Sequence, residues 1–107
     1  MQQTSPELPR PIDVIGEAIR DRRTISATYN GATLDLEPYN LFLRKGSVFL
    51  SAFNPRKNRR VDSDPELGTF NLSGLSEVAL GDCFDPIEAL AEPAEDADRQ
   101  VLIAVET

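Results

Sequence analysis

The pattern of apolar and polar residues changes from a helical period to a strand period early in the chain. Ile12, Ile15 and Ile19 recur at the spacing of one helix face, and charged residues occupy the opposite face. This spacing predicts an amphipathic helix of about three turns that begins near Pro11. The residues before it, 1–11, show no period and are expected to be a flexible lead-in.

The next segment alternates with the period of a β-strand over residues 24–29. Asn30-Gly31 follows, and this pair predicts a type I′ hairpin turn, because both central residues of that turn need a positive φ. A return strand is predicted over 33–37. We expect it to break at Pro38, with a separate third strand over about 40–44.

A second turn pair, Lys45-Gly46, leads into residues 47–53, which are largely apolar on both faces and therefore predict a central strand. Two shorter strands are expected near 69–72 and 77–80. One helix followed by about five short antiparallel strands predicts a mainly β fold. We expect a small barrel of the SH3-like or Sm-like kind with one N-terminal α-helix.

The last part of the chain contains a helix signal and an apolar run. Asp85-Pro86-Ile87-Glu88 has the form of a capping box and predicts a short C-terminal helix to about Ala91. The run 101–105 either forms a last strand or stays frayed. The predicted organisation is a lead-in at 1–11, a barrel domain at 12–86 and an acidic C-terminal extension at 87–107.

The net charge of −7 is concentrated at one end. Residues 82–107 contain eight acidic side chains against Arg99 alone, whereas residues 1–81 contain ten basic and ten acidic residues. The body of the domain is therefore neutral and can present a local basic patch to an anionic partner. The acidic end either aids solubility or docks onto such a patch.

The composition argues against catalysis. Histidine is absent and Cys83 is the only cysteine, so there is no imidazole base, no histidine metal ligand and no internal disulfide. Acidic pairs lie in polar stretches without the apolar surroundings that separate carboxyl pKa values. We therefore expect no enzyme activity, no cofactor and no metal. The longest apolar run is too short for a membrane span, and we expect a cytoplasmic protein without membrane contact.

Five segments at intervals along the chain resemble the WYL domain of bacterial transcription regulators and defence-associated proteins. The likeness covers about residues 12–86. It is carried by Ala18-Ile19-Arg20 with Arg23 and Tyr29, Glu37-Pro38-Tyr39-Asn40-Leu41, Gly46-Ser47-Val48-Phe49-Leu50, Phe70-Asn71-Leu72-Ser73-Gly74-Leu75, and Phe84 with Pro86.

The chain departs from the family at the residues that name it and at its basic positions. Val48-Phe49-Leu50 stands where the family has Trp-Tyr-Leu, and Asn71 and Gly74 stand where it has arginines that are thought to meet nucleotide or nucleic-acid ligands. The resemblance implies a regulatory domain that usually follows a helix-turn-helix region. Eleven residues precede the first helix, so we expect regulation to act through a partner protein.

Candidate ligand residues come from one exposed loop and from the strands. Residues 54–66 predict a long polar loop, whose basic cluster of Arg56, Lys57, Arg59 and Arg60 could engage phosphates or be merely solvated. Tyr29 and Tyr39 could stack on bases or belong to the core, and Arg44 ends the third strand. The first hypothesis is a sensor that binds a nucleotide or single-stranded nucleic acid. The alternative is a protein-interaction or assembly domain whose ligand site is lost.

Overall fold

A computed structural model of the chain describes residues 10–55, 66–92 and 98–106. Its elements follow one another along the chain as α1 (Pro11–Asp21), β1 (Arg23–Tyr29), β2 (Ala32–Arg44), β3 (Ser47–Phe53), β4 (Gly68–Asn71), a 3₁₀ turn (Leu72–Gly74), β5 (Leu75–Cys83), α2 (Glu88–Ala91) and β6 (Gln100–Ala104). The basic cluster at 56–60 lies outside the described residues.

The first helix forms where its period predicts it. Pro11 occupies the first helical turn, and Ile15, Ala18 and Ile19 are fully buried against the sheet. Arg22 ends the helix in a left-handed conformation, with a φ of 54°, and its N–H bonds back to the helix. The amphipathic face predicted from the sequence is therefore the face that packs on the core.

Both predicted hairpin turns are confirmed. Asn30 and Gly31 have φ values of 52° and 80°, and Lys45 and Gly46 have 49° and 79°. These are the positive values that a type I′ turn requires at both of its central positions. The turns fix β1 against β2 and β2 against β3 in antiparallel register, with Ile25 opposite Leu36 and Leu41 opposite Leu50.

The described strands form one antiparallel sheet in the order β4-β3-β2-β1-β5, and β6 pairs with β2. The mainly β prediction is correct, and β3 is a central strand as predicted. Within residues 10–55, 66–92 and 98–106 the end strands β4 and β5 do not pair with each other, so the sheet is open. The SH3-like or Sm-like barrel is therefore not confirmed.

The predicted break at Pro38 is wrong, because β2 runs through it as one strand of 13 residues. Pairing of β2 with β1 ends at Leu36, and pairing with β6 begins at Asn40. Pro38 thus lies where one edge of β2 exchanges partners, next to a register shift, and this is a position that tolerates the missing N–H of proline.

The C-terminal region forms a strand rather than staying frayed. β6 pairs with β2 from Asn40 to Leu43, and the N–H of Val105 donates a 2.7 Å hydrogen bond to the carbonyl of Tyr39. The helix α2 starts later than the predicted capping box. Ile87 is its N-cap residue, and the isoleucine side chain has no oxygen that could cap the helix. The N–H of Ile87 donates to the Tyr39 hydroxyl.

The hydrophobic core lies between α1 and one face of the sheet. Its largest fully buried members are Tyr39, Ile15, Ile19, Ile25, Leu36, Leu41 and Leu50. Phe42 is also buried but does not belong to that cluster, because it points to the other face, where it stacks on Phe49 under Arg99. No helix in the described part of the chain is long and apolar enough to cross a membrane.

Candidate ligand-binding grooves

One groove of about 560 Å³ lies beside the β1–β2 hairpin, and we call it the Tyr29 groove. Asn54, which follows β3, and Glu66, which precedes β4, both line it. The residues that flank the undescribed segment 56–65 therefore lie along this groove. The remaining lining is mostly aromatic or apolar and includes Tyr29, Leu34, Ala52, Leu67 and Phe70.

Two aromatic rings form one wall of the Tyr29 groove. Tyr29 ends β1 and Phe70 lies in β4, and their ring centroids are 5.2 Å apart at an interplanar angle of 85°. This edge-to-face arrangement is a favourable one for aromatic pairs and keeps the rings in place. Both side chains are half-buried, so part of each ring remains accessible to a ligand.

Gly74 contacts the other side of Tyr29. A Cβ atom built on Gly74 would lie 2.9 Å from Cε1 of Tyr29, closer than carbon atoms normally approach. The absence of a side chain at Gly74 therefore leaves room for the tyrosine ring. Any side chain at this position would displace the ring from its place against Phe70.

A second groove, also of about 560 Å³, opens at the start of α1, and we call it the α1 groove. It is lined by the β2–β3 turn and by the 3₁₀ turn, including Ser47, Asn71 and Ser73. The Asn71 side chain accepts hydrogen bonds of 3.0 Å from the N–H of Ser73 and 2.9 Å from its hydroxyl. Asn71 thus caps its own turn instead of reaching across the groove.

The three residues at the Trp-Tyr-Leu position divide between the two faces of the sheet. Leu50 is fully buried in the core, and Val48 packs against that core and lines the α1 groove. Phe49 points to the opposite face, where its ring stacks on Phe42 at a centroid distance of 5.5 Å. The middle position of the motif therefore serves packing on the outer face in this chain.

The predicted site residues do not all come together. Tyr29 lines a groove, but Tyr39 is 0% exposed and packs against Phe84, so it is a core residue here. Arg44 is exposed at the end of β2 and lines neither groove. Arg56, Lys57, Arg59 and Arg60 lie outside the described residues.

Sequence reasoning missed Phe70, Asn54 and Glu66 as groove residues. The two polar residues flank the predicted loop, and the ends of a loop that closes between paired strands must meet at one edge of the sheet. That signal could have found them. Phe70 could not be found in this way, because its contact with Tyr29 depends on how β4 and β1 approach each other across the groove.

The two described side chains with a shifted pKa, Glu37 and Tyr39, lie on β2 and line neither groove. Burial raises the pKa of Glu37 on β2, and burial also raises the pKa of Tyr39, to which the nearby Glu37 adds. In the Tyr29 groove, Glu66 is the only charged side chain among the described lining residues. No three acidic or cysteine side chains in the described ranges come close enough together to hold a metal ion.

The family follows from a comparison with known protein families. The model of the WYL domain matches residues 11–79, from the start of α1 into β5. The chain belongs to the WYL domain family. Searches among curated proteins and among solved structures found no match. Both the Tyr29 groove and the α1 groove are lined chiefly by residues inside the WYL match.

Proposed function

We propose that this WYL domain is a non-catalytic regulatory or sensor module that binds a nucleotide or a short single-stranded nucleic acid. The binding site would be the Tyr29 groove. WYL membership supports a regulatory role, and one observation supports this location. The half-buried rings of Tyr29 and Phe70 line a groove whose lining also includes Asn54 and Glu66, which flank the segment with the basic cluster.

The two parts of a nucleotide would be bound by different parts of this region. A base is planar and stacks on aromatic side chains, each stacked base contributing about 1–3 kcal/mol. The groove supplies the aromatic wall and no described basic residue. Phosphates would instead meet Arg56, Lys57, Arg59 and Arg60, whose guanidinium and ammonium groups favour phosphate oxygens.

The non-catalytic part of the proposal rests on the sequence. The chain has no histidine, and its single cysteine, Cys83, is exposed. Without histidine the chain cannot form the cysteine–histidine pair that activates many catalytic thiols. We therefore propose that ligand binding is converted into regulation through a partner protein, in keeping with the transcriptional role of WYL-containing regulators.

A protein-interaction or assembly domain is the second candidate function. The side chain of Asn71 favours it, because this residue replaces a family arginine and is bonded to Ser73 within its own turn. An anionic ligand in the α1 groove would therefore lack a guanidinium partner from this position. In this alternative both grooves would accept parts of a partner protein.

The test compares two aromatic residues on opposite faces of the sheet. Binding of a labelled short single-stranded oligonucleotide is measured by fluorescence anisotropy at low salt for the wild type, Tyr29→Leu and Phe49→Leu. Loss of one stacked base should weaken binding of Tyr29→Leu by about 5- to 150-fold. Phe49→Leu, which lines neither groove, should bind like the wild type. An equal loss in both variants, or no binding by the wild type, would favour the interaction domain.

A further inference from the structure

The polar lining of the Tyr29 groove points to a particular base, an inference that rests on the proposed function. Four polar side chains stand around the aromatic wall, namely the amides of Asn30 and Asn54, the hydroxyl of Thr69 and the carboxylate of Glu66. We propose that the groove selects guanine, with its N1–H and 2-amino group donating to the Glu66 carboxylate. Nucleotides that carry other bases would bind the same groove more weakly.

The charge of the groove sets the direction in which a nucleotide enters. Glu66 is the only charged residue among its described lining residues, and its negative charge repels a phosphate. The phosphate end must therefore point away from Glu66, which leaves the base to occupy the space beside its carboxylate. Apolar side chains at Leu34, Ala52 and Leu67 form the rest of the wall and suit the faces of a ring.

The carboxylate distinguishes between the bases by its hydrogen-bonding capacity. An ionised carboxylate has two oxygens that accept and none that donates, so its best partner presents two parallel N–H groups. Guanine has two such adjacent donors on its pairing edge. Adenine and cytosine place a ring-nitrogen acceptor beside one amino donor, and uracil flanks a single N–H with two carbonyls. An acceptor facing the carboxylate is repelled.

The Asn30 amide and a glycine of β4 complete the fit. The Asn30 side chain carries an NH₂ group, which can donate to the O6 acceptor of guanine. Gly68, two positions before Phe70 in β4, leaves room for the phenylalanine ring, because a Cβ atom there would be 3.3 Å from Cε1 of the ring. A volume of about 560 Å³ is within the range of small-ligand pockets.

The experiment measures nucleotide binding to the whole chain by isothermal titration calorimetry at low salt. GMP should bind about 10-fold more tightly than AMP, the discrimination expected of one bidentate pair. IMP lacks the 2-amino group and should fall between the two, and N1-methyl-GMP should bind no better than AMP. Glu66→Gln should remove most of the preference for GMP while leaving AMP binding unchanged or stronger.

Glu17→Gln provides the matched control, since Glu17 is exposed on α1 and lines neither groove. It should keep the wild-type ratio of GMP to AMP affinity. If GMP and AMP bind equally, or if Glu66→Gln keeps the wild-type ratio, the guanine assignment is overturned and the proposed function stands. If neither nucleotides nor oligonucleotides bind, the proposed function fails, and the assignment fails with it.

Discussion

The backbone N–H of Ile87 donates a 2.7 Å hydrogen bond to the hydroxyl of Tyr39, across 48 positions in sequence. Tyr39 lies in the middle of β2, and Ile87 directly precedes α2. The bond therefore fixes the start of α2 to the centre of the sheet. It also explains why a tyrosine, rather than a phenylalanine, fits this buried position.

We predict that Tyr39→Phe destabilises the fold by about 1–3 kcal/mol, because the partly buried N–H of Ile87 loses its acceptor. The free energy of unfolding is measured by urea denaturation. Tyr29→Phe is the comparison at a half-buried ring on the neighbouring strand and should change stability by less than about 0.5 kcal/mol. Equal changes of the unfolding free energy in the two variants would show that the hydrogen bond between Ile87 and the Tyr39 hydroxyl does not stabilise the fold.

The pH dependence of stability should report on Glu37. Burial raises the pKa of this carboxyl above its ordinary value of 4.5, so near that pH the folded chain binds more protons than the unfolded chain. The stability that this carboxyl contributes is present below pH 4.5 and is lost as the pH rises through the raised pKa of the folded state.

Glu37→Gln should therefore stabilise the protein relative to the wild type at about pH 7, and this advantage should shrink at about pH 3.5, where the glutamate is protonated in both states. Chemical denaturation at the two pH values measures it. Glu17→Gln, at an exposed helix position, controls for the loss of one negative charge. If the unfolding free energy of Glu37→Gln differs from that of the wild type by the same amount at both pH values, the prediction is contradicted.

The close approach of Gly74 to the Tyr29 ring leads to a third prediction, which concerns stability. Gly74→Ala should destabilise by about 1–3 kcal/mol, because the new methyl group would lie 2.9 Å from Cε1 of Tyr29 and must move the ring. Gly16→Ala is the matched control. Its Cβ would meet nothing closer than 4.0 Å, and alanine in a helix is favoured over glycine by about 0.5–1 kcal/mol. The melting temperature should therefore fall for Gly74→Ala and rise for Gly16→Ala. A rise for both would show that the Tyr29 ring moves aside without a loss of stability.

Local signals predicted most of the elements because local chemistry determines them. The turn pairs Asn30-Gly31 and Lys45-Gly46 adopt the positive φ values that their residue types favour, and the spacing of Ile12, Ile15 and Ile19 gives α1 its buried face. The strand over Ser47–Phe53 is apolar on both faces and lies between two neighbours, as a central strand must.

The errors occurred where distant contacts decide the structure. Pro38 is tolerated within β2 because two strands that are far apart in sequence, β1 and β6, meet the same edge on either side of it. The start of α2 at Ile87 is joined by a hydrogen bond to Tyr39, 48 positions earlier, a contact that no local signal predicts. The same reason applies to the candidate site, since Tyr29 could be named from its strand but Phe70 and Glu66 join it only through the tertiary fold.

The basic cluster Arg56, Lys57, Arg59 and Arg60 predicts a strong salt dependence of nucleic-acid binding. Each phosphate neutralised on a single strand contributes about −0.7 to the slope of log affinity against log salt concentration, so engagement of most of the cluster gives roughly −2 to −3. Arg59→Ala with Arg60→Ala should make the slope less steep by about 1.4. The double variant Arg20→Gln with Arg22→Gln removes the same charge from exposed positions at the end of α1 that line neither groove, and it should leave the slope unchanged.

The acidic C-terminal region bears on this measurement, because it can occupy the same cluster in the free protein. A tethered competitor acts at a high effective concentration, so weakening it should raise the affinity for the oligonucleotide. Deleting the region is the wrong test, since β6 pairs with the central strand β2 and Val105 is buried.

Replacing the exposed Glu92 by Gln and the exposed Asp98 by Asn removes two negative charges and leaves β6 in place. This variant should bind more tightly than the wild type at low salt and should converge with it at high salt, where both interactions are screened. An unchanged affinity would show that the acidic region does not compete, and a slope near zero in the wild type would show that the basic cluster does not meet phosphates.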